Sequence, residues 1–299
     1  MTSKPTLTAR MGGAAGRVRR LAAVPSAIFA PDLLAGRVVL ITGGGTNLGK
    51  AAAIELAACG AHVVVAGRRE EVLAEAVGEI GPLGSYVVGD IREADQATRI
   101  VQTAIDRHGR LDTLVNSAGG QYFVPAEDIV AKGWGAVMRL NVEGTTRMIE
   151  AAAPVIEGGG SIVTVTVSPH HGMPAMAHTG AARAAVEAIG LDYAARLAPR
   201  DIAVVNAAIG RFDTESLRKY PPNIFEGAAR TVPLQRLGHV DEFAWLIVLL
   251  ASPLGRALSG STVTLDGGAD NWFGPWPPAV IVDDEGDVPT ETRVRASDG

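Results

Sequence analysis

The stretch Ile41-Thr42-Gly43-Gly44-Gly45-Thr46-Asn47-Leu48-Gly49-Lys50 joins a short apolar run, residues 38–41, to an Ala-rich run of helical character that begins near Leu48. A strand, a glycine turn and a helix in that order build a cradle for phosphate. The glycines let backbone N–H groups approach a pyrophosphate closely, and the free N–H groups and positive dipole end of the helix favour its charge. Gly43, Gly45, Thr46, Asn47, Leu48 and Gly49 are therefore candidate cofactor contacts. The spacing, Thr-Gly-x-x-x-Asn-Leu-Gly, does not meet the dinucleotide fingerprint Gly-x-Gly-x-x-Gly, and a glycine turn also serves as a plain strand-to-helix connector. The residues on either side have to decide between the two.

Outward from this stretch the chain alternates short Val/Ile-rich runs with longer helical ones. The runs are 38–41, 62–66, 86–88, 111–116, 162–167, 202–207 and 262–265, and the helical stretches between them include 70–80, 93–107, 134–153, 176–197 and 241–250. Near-continuous apolar strands separated by helices predict a parallel sheet covered on both faces. The expected fold is a single-domain, doubly wound, Rossmann-type α/β domain with a seven-stranded parallel sheet, in which ligands bind beyond the carboxyl ends of the strands.

The residues at those strand ends then read as one site. After the second run comes Ala66-Gly67-Arg68-Arg69, where an acidic residue would stand if it were to bind a ribose 2′-hydroxyl. Guanidinium matches phosphate bidentately, so Arg68 and Arg69 point to a 2′-phosphate and to NADP(H), unless they only open a solvated helix. Asp90, after the third run and followed by Ile91, could accept from an adenine amino group or cap the next helix. After the fourth run stands Asn116-Ser117-Ala118-Gly119. Asn141 lies beside the apolar stripe of Val137, Leu140, Gly144 and Met148, so its amide needs hydrogen bonds in the interior. It is either a structural bridge or a member of a proton relay.

Composition narrows the function. A chain of 299 residues buries an ordinary core without disulfides or metals, and no metal site is expected. The single cysteine, Cys59, reads as a small buried hydrophobe, and nothing marks an oxidising compartment, so a cytoplasmic setting is expected. The net charge of −5 and the lack of a basic stripe with interleaved aromatics argue against nucleic acid as a partner. The longest apolar run, 243–251, is far short of the roughly 20 residues that span a bilayer, and no membrane span is expected. Lys4, Arg10, Arg17, Arg19 and Arg20 predict a flexible basic extension over residues 1–33, an unfolded tail or a transit peptide. Asp283, Asp284, Glu285 and Asp287 predict a flexible acidic tail over 275–299, leaving 34–274 as the folded domain.

With these residues assembled, the chain resembles the short-chain dehydrogenase/reductase family from Leu34 to Gly268. The matching features are Thr42-Gly43 to Gly49, Asp90, Asn116 to Gly119, Asn141, the turn from Gly210 to Thr214, and Asp266-Gly267-Gly268. Within that family, residues 31–34, Gly120-Gln121, residues 125–127, Gly133-Trp134 and His178-Thr179-Gly180-Ala181-Ala182-Arg183 look like the peroxisomal trans-2-enoyl-CoA reductases and their 2,4-dienoyl-CoA reductase relatives. The resemblance implies hydride transfer from NADPH to a conjugated acyl thioester. It also implies a small-molecule substrate, an acyl-CoA among the candidates, and a homodimer or homotetramer built through the helices that start near Trp134 and Met176. Ile91, Ala118, Gly119 and Gly210 become cofactor contacts, Thr214 a partner of the nicotinamide amide, and residues 211–230 a substrate lid.

The departures from the family pattern are as informative. Most members carry a serine and a Tyr-x-x-x-Lys pair; here Thr166, Thr179 and Arg183 take the serine, tyrosine and lysine positions. A tyrosine of pKa about 10 can be tuned toward neutrality by a neighbouring cation, whereas a threonine hydroxyl cannot. Carbonyl reduction by the tyrosine route is therefore disfavoured. Enoyl reduction asks less of the protein: a thioester enolate must be stabilised, by Thr179, Thr166 or a backbone N–H, and a proton delivered to the α-carbon. His178 is the first candidate donor, ahead of His170, His171 and a water ordered by Asn141. Arg183 could still hold ribose hydroxyls. Asn47 replaces a family glycine, tolerable in the left-handed conformation, and Ile209 replaces a proline. Two other functions stay open: a short-chain reductase recruited to a biosynthetic pathway, acting on a small ketone or enone with an atypical proton donor, and a redox-inactive cofactor-binding scaffold.

Overall fold

The computed structural model describes residues 26–271 apart from 169, 171, 174, 219–224 and 226. Seven strands, β1 (Val38–Thr42), β2 (His62–Gly67), β3 (Gly84–Val88), β4 (Leu111–Asn116), β5 (Ile156–Val167), β6 (Ala203–Ile209) and β7 (Thr262–Leu265), form one parallel sheet in the order β3-β2-β1-β4-β5-β6-β7. The order reverses between β1 and β4, so the crevice above that pair is where such a sheet accepts a ligand.

Helices cover both faces. α1 (Asn47–Ala58), α2 (Glu70–Ile80) and the late helix over Val240–Ala251 pack on one face around Leu56, Leu73, Phe243 and Ile247. α3 (Ala94–His108), the helical run from Ala131 to Ala152 and a long helix, Ala177–Leu197, pack on the other around Ile100, Met148, Ile149 and Ile162. Strand residues alternate between these two cores: Val39 and Ile41 join the first, Val38 and Leu40 the second. This is why the strands read as unbroken apolar runs. The helix ends follow local chemistry as well. α3 carries Asp95 in its first turn and Arg107 and His108 in its last, and stops at Gly109 in the left-handed conformation, φ 76°, the arrangement that complements the helix dipole and closes the last turn.

Three differences from the sequence expectation have physical causes. The expected helix over 134–153 begins at α4 (Ala131–Met138), passes through a π turn at Arg139–Glu143 and continues as α5 (Gly144–Ala152). Gly144 N–H reaches back to the Arg139 carbonyl, one residue farther than in an α-helix, and the bulge falls on Asn141. The fifth strand starts at Ile156, earlier than the apolar run, because Gly158, Gly159 and Gly160 carry no hydrophobic signal; a Cβ on Gly160 would lie 2.5 Å from the Asp112 carbonyl oxygen. The packed chain also begins before Leu34. Ser26 Oγ donates to Glu55 Oε1 at 2.6 Å, and Phe29 and Leu33 pack on the first core. The basic segment up to residue 25 and the acidic segment after 271 lie outside the described residues.

One row across the sheet is polar. Thr42, Asn116, Thr164, Asn206 and Thr262 are register partners on β1, β4, β5, β6 and β7 in turn. Thr42 Oγ1 accepts from the N–H groups of Ser117 and Ala118, and Asn206 Nδ2 donates to the Glu187 carbonyl. Both side-chain polar atoms of Asn116, Thr164 Oγ1 and Asn206 Oδ1 are buried and meet no partner among the described residues.

Candidate active site

A cleft of about 570 Å³ runs along the carboxyl ends of the strands, from Arg68 and Asp90 at one end to Thr166, Arg183 and Thr214 at the other. The glycine turn forms one wall. Gly43 has φ +68°, and a Cβ there would sit 2.9 Å from Ala118 Cα, so only glycine lets the turns after β1 and β4 meet. A Cβ on Gly49 would fall 2.4 Å from the Gly43 carbonyl oxygen. Asn47 adopts φ 46°, the left-handed conformation that asparagine tolerates, and its Nδ2 donates to Ser216 Oγ at 2.9 Å across the cleft. Thr46 caps α1 without a side-chain hydrogen bond, and the first turn of α1 holds no acid. Its N–H groups could hold a pyrophosphate.

At the β2 end Arg68 and Arg69 line the cleft, are exposed, and make no side-chain hydrogen bond or ion pair among the described residues. The acids of the following turn do not claim them: Glu70 accepts from Tyr86 Oη at 3.0 Å. Asp90 lines the cleft beside Ile91 but does not cap α3. Its carboxylate is gripped by Arg92 Nε at 3.0 Å and takes the Arg92 N–H at 3.0 Å, and the Arg92 guanidinium, against some burial, holds it below the usual carboxylate range. Leu48, Ala118, Gly119 and Gly210 also line the cleft. Asn116 does not; it lies in the polar row beneath. Thr214 lines the cleft and its Oγ1 accepts from Leu217 N at 3.2 Å, capping a short helix, α7 (Glu215–Arg218), and leaving its own proton free to donate.

The floor is where the predicted chemical residues separate into two groups. Thr166 and Arg183 reach the cleft; Asn141, His178 and Thr179 are not part of its lining. Arg183, from the long helix α6 (Ala177–Leu197), donates from Nη1 to the Val165 carbonyl at 2.9 Å, while its buried Nε meets no partner among the described residues. Its guanidinium presses on Gly119, where a Cβ would lie 2.4 Å from Nη2. Dense packing pulls its pKa down to about 10, with Glu187 acting in the opposite sense. Asn141 is tied down on three sides: Nδ2 donates to the Val137 and Gly120 carbonyls at 2.9 Å each, and Oδ1 accepts from Gly120 N at 3.2 Å. It is a bridge between the π turn and the loop after β4.

His178 and Thr179 are fully buried, and neither ring nitrogen of His178 nor Thr179 Oγ1 has a hydrogen-bond partner among the described residues. Tyr122 covers His178 edge-on, with ring centroids 4.5 Å apart. His171 lies outside the described residues, but His170 is placed, and it belongs to a network that sequence reasoning missed. Thr166 Oγ1 donates to Glu187 Oε1 at 2.8 Å; the same carboxylate oxygen lies 3.2 Å from His170 Nε2, and His170 Nδ1 lies 2.5 Å from Asp270 Oδ2. Asp270 N in turn donates to Asp266 Oδ2, which also takes the Ser168 hydroxyl. The available signal for Glu187 was its place four residues after Arg183 on one face of α6, and for Asp270 its place four residues after Asp266. Ser216 and Arg211, both lining the cleft, carried no such signal.

A glycine-walled anion cradle, a strand-end ligand crevice and a half-buried cation on its floor suit a nicotinamide dinucleotide, and known proteins agree. A family described as Enoyl-(Acyl carrier protein) reductase matches residues 44–270. The chain belongs to the short-chain dehydrogenase/reductase family. Among short-chain dehydrogenase/reductase relatives, a peroxisomal 2,4-dienoyl-CoA reductase [(3E)-enoyl-CoA-producing] of Arabidopsis thaliana is 32% identical over 80% of this chain and 86% of its own. A 3-oxoacyl-[acyl-carrier-protein] reductase of Thermotoga maritima is 31% identical over 79% of this chain and 98% of its own. A crystal structure of a dehydrogenase/reductase from Sinorhizobium meliloti superposes with a TM-score of 0.76 at 28% identity, covering 80% of this chain and 98% of that one. The short-chain dehydrogenase/reductase relatives make this an oxidoreductase fold with a nicotinamide site. Among the described residues no helix is long and apolar enough to cross a membrane, and no cluster of His, Cys, Asp and Glu could hold a metal.

Proposed function

We propose that the chain is an NADP(H)-dependent reductase of an α,β-unsaturated acyl thioester, enoyl or dienoyl, or of a similarly conjugated enone. The observation that carries this reading is the floor of the cleft. Of the residues expected to do the chemistry, those that reach it are Thr166 and the half-buried Arg183, which suit a reaction that needs charge stabilisation and a proton delivered to carbon. Among the described residues no tyrosine lines the cleft to act as acid toward a carbonyl oxygen.

The N–H groups of the Gly43 to Gly49 turn would hold the pyrophosphate, and the unpaired Arg68 and Arg69 the 2′-phosphate that distinguishes NADP(H). Asp90 and Ile91 would face the adenine, Ala118 and Gly119 the ribose wall, and Thr214 the nicotinamide amide. The guanidinium of Arg183, which lines the cleft, would donate to ribose hydroxyls. Bound cofactor supplies the hydride. Arg183 then stabilises the negative charge that develops on the thioester, worth most where water is excluded. Exposed Trp134 on α4 and Leu191 on α6 support a homodimer or homotetramer through these helices.

Following NADPH absorbance with crotonyl-CoA and longer enoyl- and dienoyl-CoAs tests the reading. Oxidation of NADPH on that panel is expected; its absence with folded protein would exclude the acyl-CoA version. The likeness to a 3-oxoacyl reductase favours a second reading, reduction of a small ketone. On that reading a Thr179→Tyr, Arg183→Lys double variant gains ketone reduction, and unchanged activity counts against it.

A further inference from the structure

We propose that Glu187 and His170 feed a proton to Thr166 at the floor of the cleft, and that this line takes over the proton delivery for which the chain has no tyrosine–lysine pair. The inference rests on the reductase reading above and names its proton path. It is built on continuity. Thr166 is fully buried yet forms part of the cleft lining, so its hydroxyl stands at the boundary between the reaction space and the protein. Behind it Glu187 Oε1 takes the Thr166 hydroxyl at 2.8 Å and stands 3.2 Å from His170 Nε2. The His170 side chain is about one-third exposed and the Glu187 side chain only 16% exposed, so the line runs from solvent through a sheltered carboxylate to the cleft. His178, the donor first suggested by its motif position, is sealed beneath Tyr122 and has no such connection.

The charges facing each member are compatible with the task. His170 meets Asp270 on Nδ1 and Glu187 on Nε2, with Asp266 one hydrogen bond beyond Asp270. Partial burial by itself would depress the imidazole, but the hydrogen bond to Asp270 and the charges of Glu187 and Asp270 outweigh it and raise its pKa above the ordinary value. His170 therefore keeps its charge to higher pH than an ordinary imidazole, and in the charged form it holds a proton on Nε2 aimed at Glu187. Glu187 also lies within the field of Arg183, so the carboxylate is poised between two cations.

The step balances as follows. Hydride brings its electron pair to the β-carbon of the substrate, and the pair of the former double bond moves toward the α-carbon and the thioester oxygen. His170 first passes its Nε2 proton to Glu187. The Thr166 hydroxyl, turned to the cleft, then accepts that proton from Glu187 in the same step in which it gives its own to the α-carbon, so no alkoxide forms. His170 is recharged from solvent. One hydride and one proton enter the substrate, and every relay group ends as it began. Thr166 is the catalytic residue of the line; Glu187 and His170 act through it as positioning residues.

The test uses the full chain with the variants Thr166→Val, Glu187→Gln and His170→Gln. Nitrogen-detected NMR titration of His170 without cofactor comes first: Glu187→Gln should move its midpoint to lower pH, because a raising charge is lost. An unmoved midpoint would overturn the contact and the proposal. Calorimetric titration with NADPH should give affinities within about twofold of the parent for Glu187→Gln and His170→Gln, which shows an intact cofactor cleft. With crotonyl-CoA, kcat should fall about 100-fold for Thr166→Val and Glu187→Gln with little change in KM. In the parent, kcat should decline as pH rises through the raised His170 pKa, and that limb should be absent from the residual activity of Glu187→Gln and His170→Gln. Parental kcat and a persisting limb in Glu187→Gln and His170→Gln would overturn the relay while leaving the reductase reading intact. A parent that binds NADPH but reduces no member of the enoyl panel would overturn that reading and the relay with it.

Discussion

Thr164 and Arg68 show what a single side chain contributes when its partner is missing. Thr164 Oγ1 is buried in the polar row with no partner among the described residues, and an unsatisfied buried hydroxyl costs about 1–3 kcal/mol. Thr164→Val keeps the shape and suits a strand, so urea denaturation should show a gain of about 1 kcal/mol; a loss would mean that an internal water satisfies the hydroxyl. Arg68 is the opposite case, an exposed cation at the cleft edge that makes no ion pair or side-chain hydrogen bond with an acid among the described residues and feels Asp90 only as a nearby charge. A charge-assisted bond to a phosphate contributes about 1.5–3 kcal/mol, so Arg68→Ala should weaken NADPH binding roughly 10- to 100-fold by calorimetry and leave NADH binding little changed. Equal losses for both cofactors would refute the 2′-phosphate assignment. Asn47 was legible as a departure from the glycine pattern, and its left-handed conformation followed from residue type. Its reach to Ser216 did not, because the two residues are far apart in the chain.

At the scale of the element, the helix through Asn141 was legible from its apolar stripe, while its interruption was not. An α-helix of ordinary pitch would leave the Asn141 amide beside the stripe. The π turn at Arg139–Glu143 instead accompanies an Asn141 amide that satisfies Gly120 on both its N–H and carbonyl groups and the Val137 carbonyl as well. Asn141→Ala removes all three bonds, so the domain should lose about 1–3 kcal/mol in urea denaturation. Amide exchange of Gly120 should also quicken; an unchanged rate would mean that the bridge does not hold the loop. The long helix α6 displays the same division. Its sequence placed His178, Thr179 and Arg183 in one motif, but its rotation sends Arg183 to the cleft and buries His178 and Thr179 away from the lining. Helix phase relative to the sheet is set by the packing of Tyr193, Ala194 and Leu197 on the second core, which no local pattern states.

For the whole molecule, the decisive fact is that six strand ends open onto one cleft. A ligand that binds only the folded sheet stabilises it by mass action, so NADPH at about 100 times its Kd should raise stability by about 2.7 kcal/mol. A thermal melt should show the shift, and NADH at the same concentration should give a smaller one; no shift with either would argue for a cofactor-free scaffold. Cys59 belongs to the same global structure. Burial, with Glu55 beside it, pushes its thiol up to about 11, in line with the small buried hydrophobe expected from the sequence.

The sequence by itself determined the parallel sheet, its helical covers, the glycine cradle and the family, because each depends on local periodicity, on residue types that alone permit a given backbone, and on motif order. Only the tertiary structure decided which of those motif residues share a space. Glu187, His170 and Asp270 stand on α6, the loop after β5 and the segment after β7, and Thr166 meets them because the sheet sets β5 beside β6 and β6 beside β7. Chain pattern specifies where a side chain lies on its own element. The distance between two elements is fixed by how their apolar faces pack, and that is a property of the folded molecule.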